Sequence, residues 1–141
     1  MDDIQNFIQN HNTMTLATHG ENGIGAAALF YAPSKECRSL LFVSNPKSEH
    51  IKNLENNCKC AATIQEDGQK WEIIKGLQIK GSVIKAKDNH WKTYFERFPY
   101  IEDDKILSKA LEKVSLYELQ ISWARLIDNE KEFGNRIEIK Y

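Results

Sequence analysis

The sequence predicts a mainly β (α+β) fold: six antiparallel strands rolled into a small barrel with Greek-key connections and flanked by short helices. Three observations predict it. Short runs of strand formers, such as 13–19, Ser39–Ser44 and Lys59–Gln65, are separated by turn clusters such as Gly20-Glu21-Asn22-Gly23 and Glu66-Asp67-Gly68-Gln69. Two segments, 71–86 and 115–127, are too long for simple flat strands, and Gly76 and Gly81 within the first mark bends at barrel corners. The helical segments fall between strands without a strand–helix–strand rhythm, which argues against a doubly wound parallel sheet.

Each element follows from local chemistry. Asp2 or Asp3 caps a helix that runs through Asn10 and places Ile4, Phe7 and Ile8 on one face. Segment 13–19 (TMTLATH) alternates apolar and polar, and the Asn22-Gly23 pair tolerates the positive φ of a hairpin. The second strand covers 24–32, Pro33-Ser34-Lys35-Glu36 turns the chain, and Ser39–Ser44 is the third strand. After Ser44-Asn45-Pro46-Lys47-Ser48 a helix directs Ile51 and Leu54 inward and closes at Asn56-Asn57. Lys59–Gln65 and 71–86 are the fourth and fifth strands. Asp88 caps a helix bearing Trp91, Phe95 and Phe98, which Pro99 ends. Asp103 or Asp104 caps another, with Ile106, Leu107, Ala110 and Leu111, and 115–127 is the sixth strand.

A length of 141 residues suits one domain, 1–141. With 41% hydrophobic residues, 28% charged and a net charge of -1, the chain offers no overall attraction for nucleic acid or a membrane surface. Its longest apolar run, 24–32, is far short of the roughly 20 residues that span a bilayer. The opening MDDIQNFIQ is acidic and polar, unlike a signal peptide, and an odd set of cysteines (Cys37, Cys58, Cys60) fits a reducing cytoplasm. Cys58 and Cys60 lack the second pair of a structural zinc site, and His11, His19, His50 and His90 have no metal spacing, so no metal is expected. Neither a Walker loop nor G-x-G-x-x-G is present, and no nucleophile triad assigns a catalytic residue.

Four constellations bear on chemistry. The stretch SNPKSEHIKN joins a strand end to a helix start. Ser44, Lys47, Ser48, His50 and Lys52 there suit a phosphate, although serine, asparagine and proline also suit an ordinary capped helix. Ala26-Ala27-Ala28 is poor strand material, so either a flat ring or a tightly packed neighbour presses close. Gln78, two residues after Gly76 and on the same side, is either a partner for a heterocycle's edge or an exposed strand residue. Tyr117, Leu119, Ile121 and Trp123 are expected on one face, with Arg125 continuing it towards an ion pair, water or a ligand.

In this order, TLATHGENG, AAALFY, LLFVSNPKSEHIKNLENN, AATIQ and GLQIKGSV resemble the pyridoxamine 5′-phosphate oxidase-like, FMN-binding split β-barrel proteins. The likeness is greatest to their YhbP-like branch, whose FY, helix-start histidine and RG-x-Q-x-x-G pattern is nearly repeated. The resemblance implies a homodimer with FMN at the interface and a small-molecule substrate. It places Ala28, Leu29, Phe30 and Gln78 at the flavin, and Val43, Ser44, Ser48 and His50 at its phosphate, where Lys47 is also expected to contribute. The oxidase has an Arg-Lys pair where this chain has Glu49 and His50, and an arginine near the place of Ala28; Trp123 and Arg125 echo its substrate segment faintly. The implied activity is an FMN-dependent oxidoreductase. A non-enzymatic flavin- or haem-binding module with His50 as ligand stays open beside it. The near-neutral charge counts against an oligonucleotide-binding barrel.

Overall fold

The computed structural model describes residues 2–141. Among these, helix α1 (Asp3–Gln9) opens the chain, capped by Asp2, whose carboxylate accepts from Gln5 N while the Gln5 side chain returns a bond to the cap. Strands β1 (Thr13–Gly20) and β2 (Gly23–Phe30) form a hairpin, with Gly23 at φ 94° taking the left-handed position that favours glycine. Next come β3 (Ala32–Pro33), β4 (Ser39–Ser44), α2 (Glu49–Asn56), β5 (Lys59–Gln65) and β6 (Lys75–Lys85). Helices α3 (Trp91–Arg97), α4 (Tyr100–Asp103) and α5 (Lys105–Ala110) precede β7 (Ser115–Asp128) and β8 (Arg136–Lys140).

Among the described residues all strand pairings are antiparallel, and seven strands follow the path β2-β1-β5-β6-β7-β4-β3, with β8 added against β7. The two ends of that path, β2 and β3, are joined by the single residue Tyr31. Consecutive Cα atoms are about 3.8 Å apart, so the sheet must curl until its ends meet. This is the split barrel expected, with two more strands than the six predicted. The predicted strand 24–32 is in fact β2 and β3, broken at Tyr31, and β8 was not predicted.

Leu16, Phe42, Ile79, Leu119 and Leu126 fill the interior, and α1 (Ile4, Phe7, Ile8) and α2 (Ile51, Leu54) press into the same cluster. A second cluster, with Leu41, Tyr94, Phe98 and Leu116, packs α3 on the outside of β3, β4 and β7. Among the described residues, no helix is long and apolar enough to cross a membrane.

Two other expectations change for local reasons. Asp88 does not cap α3: residues Asp88–His90 form a turn of 3-10 helix, and the helix starts after His90. Of the two glycines expected to bend the fifth strand, only Gly81 sits at an irregularity. The register shifts by one residue between Lys80 and Gly81, where β7 carries the extra Ser122. A Cβ on Gly81 would collide with the Gln120 carbonyl oxygen, whereas one on Gly76 would make only ordinary contacts. The bulge also separates the predicted stripe. Tyr117, Leu119 and Ile121 are buried, but beyond Ser122 the inward positions are Ala124 and Leu126, so Trp123 and Arg125 face outward.

Gly81→Ala is therefore expected to lower unfolding stability by about 2 kcal/mol, as overpacking against backbone does. Gly76→Ala should cost markedly less, and urea unfolding of the two variants checks the contrast.

Candidate functional site

The strand end and helix start singled out in the sequence converge. Ser44 closes β4 with 7% of its surface exposed. Its Oγ lies 2.6 Å from His50 Nε2 and 3.2 Å from Ser48 Oγ, and Ser48 Oγ is 3.3 Å from His50 Nε2. Pro46 and the Asn45 turn fold the chain back so that strand and helix share this cluster; Lys47 N donates to Asn45 Oδ1, and Ser48 Oγ donates to Asn45 O. Ser48 is the N-cap of α2 by position, but its side chain makes no capping bond. The N–H groups of the first turn thus lack a side-chain acceptor and add their partial positive charge to the cluster. Burial lowers the pKa of His50 below its ordinary 6.5, and no charged neighbour contributes.

Helix α2 is locked onto the barrel by buried Asn53, whose Nδ2 donates to Thr18 Oγ1. Gly20 is required beside it, because a Cβ there would overlap the Asn53 amide. On the other side, Asn22 Nδ2 donates to Glu49 Oε1, and Glu49 Oε2 lies 3.8 Å from where a Gly25 Cβ would be. The helix start therefore sits beside β2, the strand that carries the alanines. Ala28 is three residues beyond Gly25, about 10 Å along the strand and on its opposite face.

The outer face of β2, β1, β5 and β6 is open. Register places Ala28, Thr15, Thr63, Gln78, Arg125 and Glu138 in one row across six strands. The neighbouring row is Ala26, Ala17, Ala61, Lys80, Trp123 and Lys140. On the β2–β1–β5 side these positions are small, so the face is flat there. A cavity of about 580 Å³ opens beside Ala28, lined by Thr13, Thr15, Thr63, His11, Glu66 and others. At the far end of the rows, Trp123 is flanked by Lys80 Nζ at 4.9 Å and Arg125 Cζ at 5.0 Å from its ring. Arg125 also holds Glu138 through Nε at 2.7 Å and Nη2 at 2.6 Å, which keeps that carboxyl below its usual range.

The structure thus unites Ser44, Ser48 and His50, and it puts Ala28 and Gln78 on one face. Those two are three strand spacings apart, about 14 Å. Leu29 faces the opposite way and packs against the core, as alternation along β2 requires. Phe30 is 55% exposed and meets Phe98 edge-on at 5.8 Å. Val43 packs against the cluster under α3. Lys47 is exposed and lines a separate surface cavity of about 510 Å³ with Glu49 and Lys52. Sequence reasoning missed Thr15, Thr63 and the Asn53–Thr18 lock. The alternation of β1 and β5 carried a signal for the two threonines, but their alignment with Ala28 depends on register. Cys58 lies outside β5, Cys60 is pushed up to about 12 by burial, and the described residues contain no metal-type cluster.

A barrel split along β2 and β4, with a polar cluster at a helix start and an open flat face, defines the split-barrel class. The pyridoxamine 5′-phosphate oxidase family profile matches residues 1–128, and the chain belongs to that family. Among its relatives is UPF0306 protein Cj1449c of Campylobacter jejuni, 27% identical over 135 residues that cover 96% of this chain and 94% of that one. The fold is shared with HutZ, the haem storage protein of Vibrio cholerae (TM-score 0.67, 22% identity, 84% of this chain and 87% of that one). It is also shared with an FAD-binding protein of Mesorhizobium loti (TM-score 0.64, 17% identity, 86% and 87%).

Since the folded-state pKa of His50 lies below that of the unfolded chain, acid favours unfolding. The contribution is full above about 6.5 and is lost as pH falls through the lowered value. Between about pH 7 and pH 5.5 the urea midpoint should fall more for the native protein than for His50→Gln.

Proposed function

We propose that the chain binds FMN non-covalently and serves as an oxidoreductase for a small-molecule substrate. The observation that carries this reading is the convergence of Ser44, Ser48 and His50 at an uncapped helix start, beside the strand that bears Ala26 and Ala28. The donor set fits a phosphate group: the Ser44 hydroxyl, the imidazole and free backbone N–H groups can donate to its oxygens, and the Ser48 hydroxyl can join them by giving up its bond to Asn45 O. Ala28 and the small residues of β1 and β5 leave room for a flat ring. Bound FMN supplies the electron-accepting chemistry, and the protein holds and orients it.

Leu29 and Val43 act behind the surface by shaping β2 and β4, and Lys47 contributes only long-range charge from its exposed position. Gln78 stands three spacings from Ala28 on the same face. A homodimer joined through this open face, with flavin at the interface, is the assembly proposed. The three free cysteines agree with a cytoplasmic protein.

A second reading, a non-enzymatic haem-binding module, is favoured by the uncharged state of His50, since a neutral imidazole is what binds iron. Against it, His50 Nε2 is engaged by Ser44 at 2.6 Å.

The protein purified without added cofactor should show a two-banded flavin spectrum or quench the fluorescence of added FMN. Ser44→Ala with His50→Ala should weaken FMN binding by at least about tenfold, since each bond to a charged acceptor contributes roughly 1.5–3 kcal/mol. A Soret band that is lost in His50→Ala would establish the haem reading instead. Unchanged FMN affinity in the double variant would refute the phosphate assignment.

A further inference from the structure

We propose that the flavin phosphate site is proton-coupled: His50 holds, in the complex, a proton that it lacks in the free protein at neutral pH. The inference rests on the flavin reading above and concerns the regulation of that same site.

It follows from the charges at the cluster. The groups that converge are Ser44 Oγ, Ser48 Oγ and His50 Nε2, and none of them carries a permanent charge. The charged groups on the surrounding elements are placed elsewhere. On α2 and the turn before it, Glu49 is tied to Asn22 of the β1–β2 hairpin, and Lys47, Lys52 and Glu55 are exposed. These four line the separate 510 Å³ cavity together with Glu21 of the hairpin, so two lysines there face three carboxylates. On β7 the residue opposite Ser44 is uncharged Ser115, and the next on that face is Tyr117. From β2, Gly25 approaches Glu49 and adds no charge. On β6, Lys85 lines a further cavity with Pro46, Ser115 and Tyr117, where Glu55 stands as its opposite charge. Among the described residues, no fixed cation makes a hydrogen bond or ion pair with Ser44, Ser48 or His50.

A phosphate monoester has its second pKa at about 6, so at pH 7 to 8 it arrives mainly as a dianion. Met by neutral donors and a neighbouring Glu49, the dianion lacks a counter-charge. A protonated His50 at hydrogen-bond distance supplies one, and charge-assisted bonds of this kind are roughly twice as strong as neutral ones. The half-buried position of the ring weakens screening and enlarges the gain. The free protein disfavours the imidazolium through burial alone, so the proton is taken up on binding. The sign follows: above the pKa of free His50, each unit of rising pH weakens phosphate binding by up to tenfold, one proton being linked to each ligand. Riboflavin has the same ring without the phosphate, so its binding should not carry this dependence.

The test is a fluorescence titration of cofactor-free protein with FMN and, in parallel, with riboflavin at about pH 7 and about pH 8. It is repeated for His50→Gln, which keeps a donor but cannot titrate. The expected result is an FMN Kd that rises about tenfold over that unit, a riboflavin Kd that changes less than about twofold, and a flat FMN profile in His50→Gln. An FMN Kd that is flat in the native protein, a slope that persists in His50→Gln, or one shared equally by riboflavin would overturn the proposal. An NMR titration of the His50 ring with and without inorganic phosphate separates this inference from the flavin reading. If FMN does not bind but phosphate raises the His50 midpoint, the flavin reading falls and the proton-coupled anion site stands. If neither ligand moves that midpoint, the proton-coupled site is overturned as well.

Discussion

The architecture depends on Tyr31. It is the single residue between β2 and β3, the two ends of the hydrogen-bonded path, and it is fully buried. Its O–H donates to Ile8 O at 2.7 Å, and its N–H donates to Asn12 O at 2.9 Å. A chain that must pass from one end of a seven-strand path to the other in one residue leaves the sheet no choice but to close on itself. Tyr31 fixes where that happens and ties the seam to α1. The Tyr31 hydroxyl is correspondingly held in its neutral form, burial being the main cause.

Closure in this place sorts the outer surface into two parts. On one side of the seam, β3 and β4 are covered by α3, with Tyr94 and Phe98 packed on Leu41 and Ala32. On the other, β2, β1, β5 and β6 keep an uncovered face, with Ala28, Thr15, Thr63 and Gln78 exposed. The bulge at Ser122 turns Trp123 and Arg125 onto this same face, where a regular strand would have buried them. The polar cluster of Ser44, Ser48 and His50 stands where β4 hands over to α2, and the Glu49–Asn22 contact holds that helix start beside β2. The polar cluster thus reaches β2 from the Gly25 side and the flat face lies on the opposite side of the same strand, an arrangement set by closure of the barrel and not by closeness in sequence.

The electrostatics of the cluster set this chain apart from a site built on fixed cations. Its lysines are exposed and balanced by Glu21, Glu49 and Glu55, while buried Ser44 and half-buried Ser48 and His50 offer hydroxyls and an imidazole. Under the proposed proton coupling, such a site trades unconditional affinity for an anion against sensitivity to pH, since its full positive charge comes from a titrating ring beside the partial charge of the helix start. UPF0306 relatives that match nearly the whole chain make this charge balance a feature to examine across a set of related proteins.

The sequence by itself determined the elements whose cause is local. Ser39–Ser44 and Lys59–Gln65 follow from apolar and alternating runs bounded by turn residues, α1 from its capping aspartate, and the hairpin from Asn22-Gly23. It also determined the Ser44–His50 cluster, because the seven residues of this one tight turn can meet without help from elsewhere. Only the tertiary structure decided what depends on register and closure. The break at Tyr31, the alignment of Ala28 with Gln78 through Thr15 and Thr63, and the reversal of Trp123 and Arg125 each follow from pairing between distant strands. One inserted residue, Ser122, changes every side chain's face beyond it. Period-two alternation specifies two faces for each strand, but which of them meets the core, and beside which neighbour, is chosen by the packing of the whole barrel.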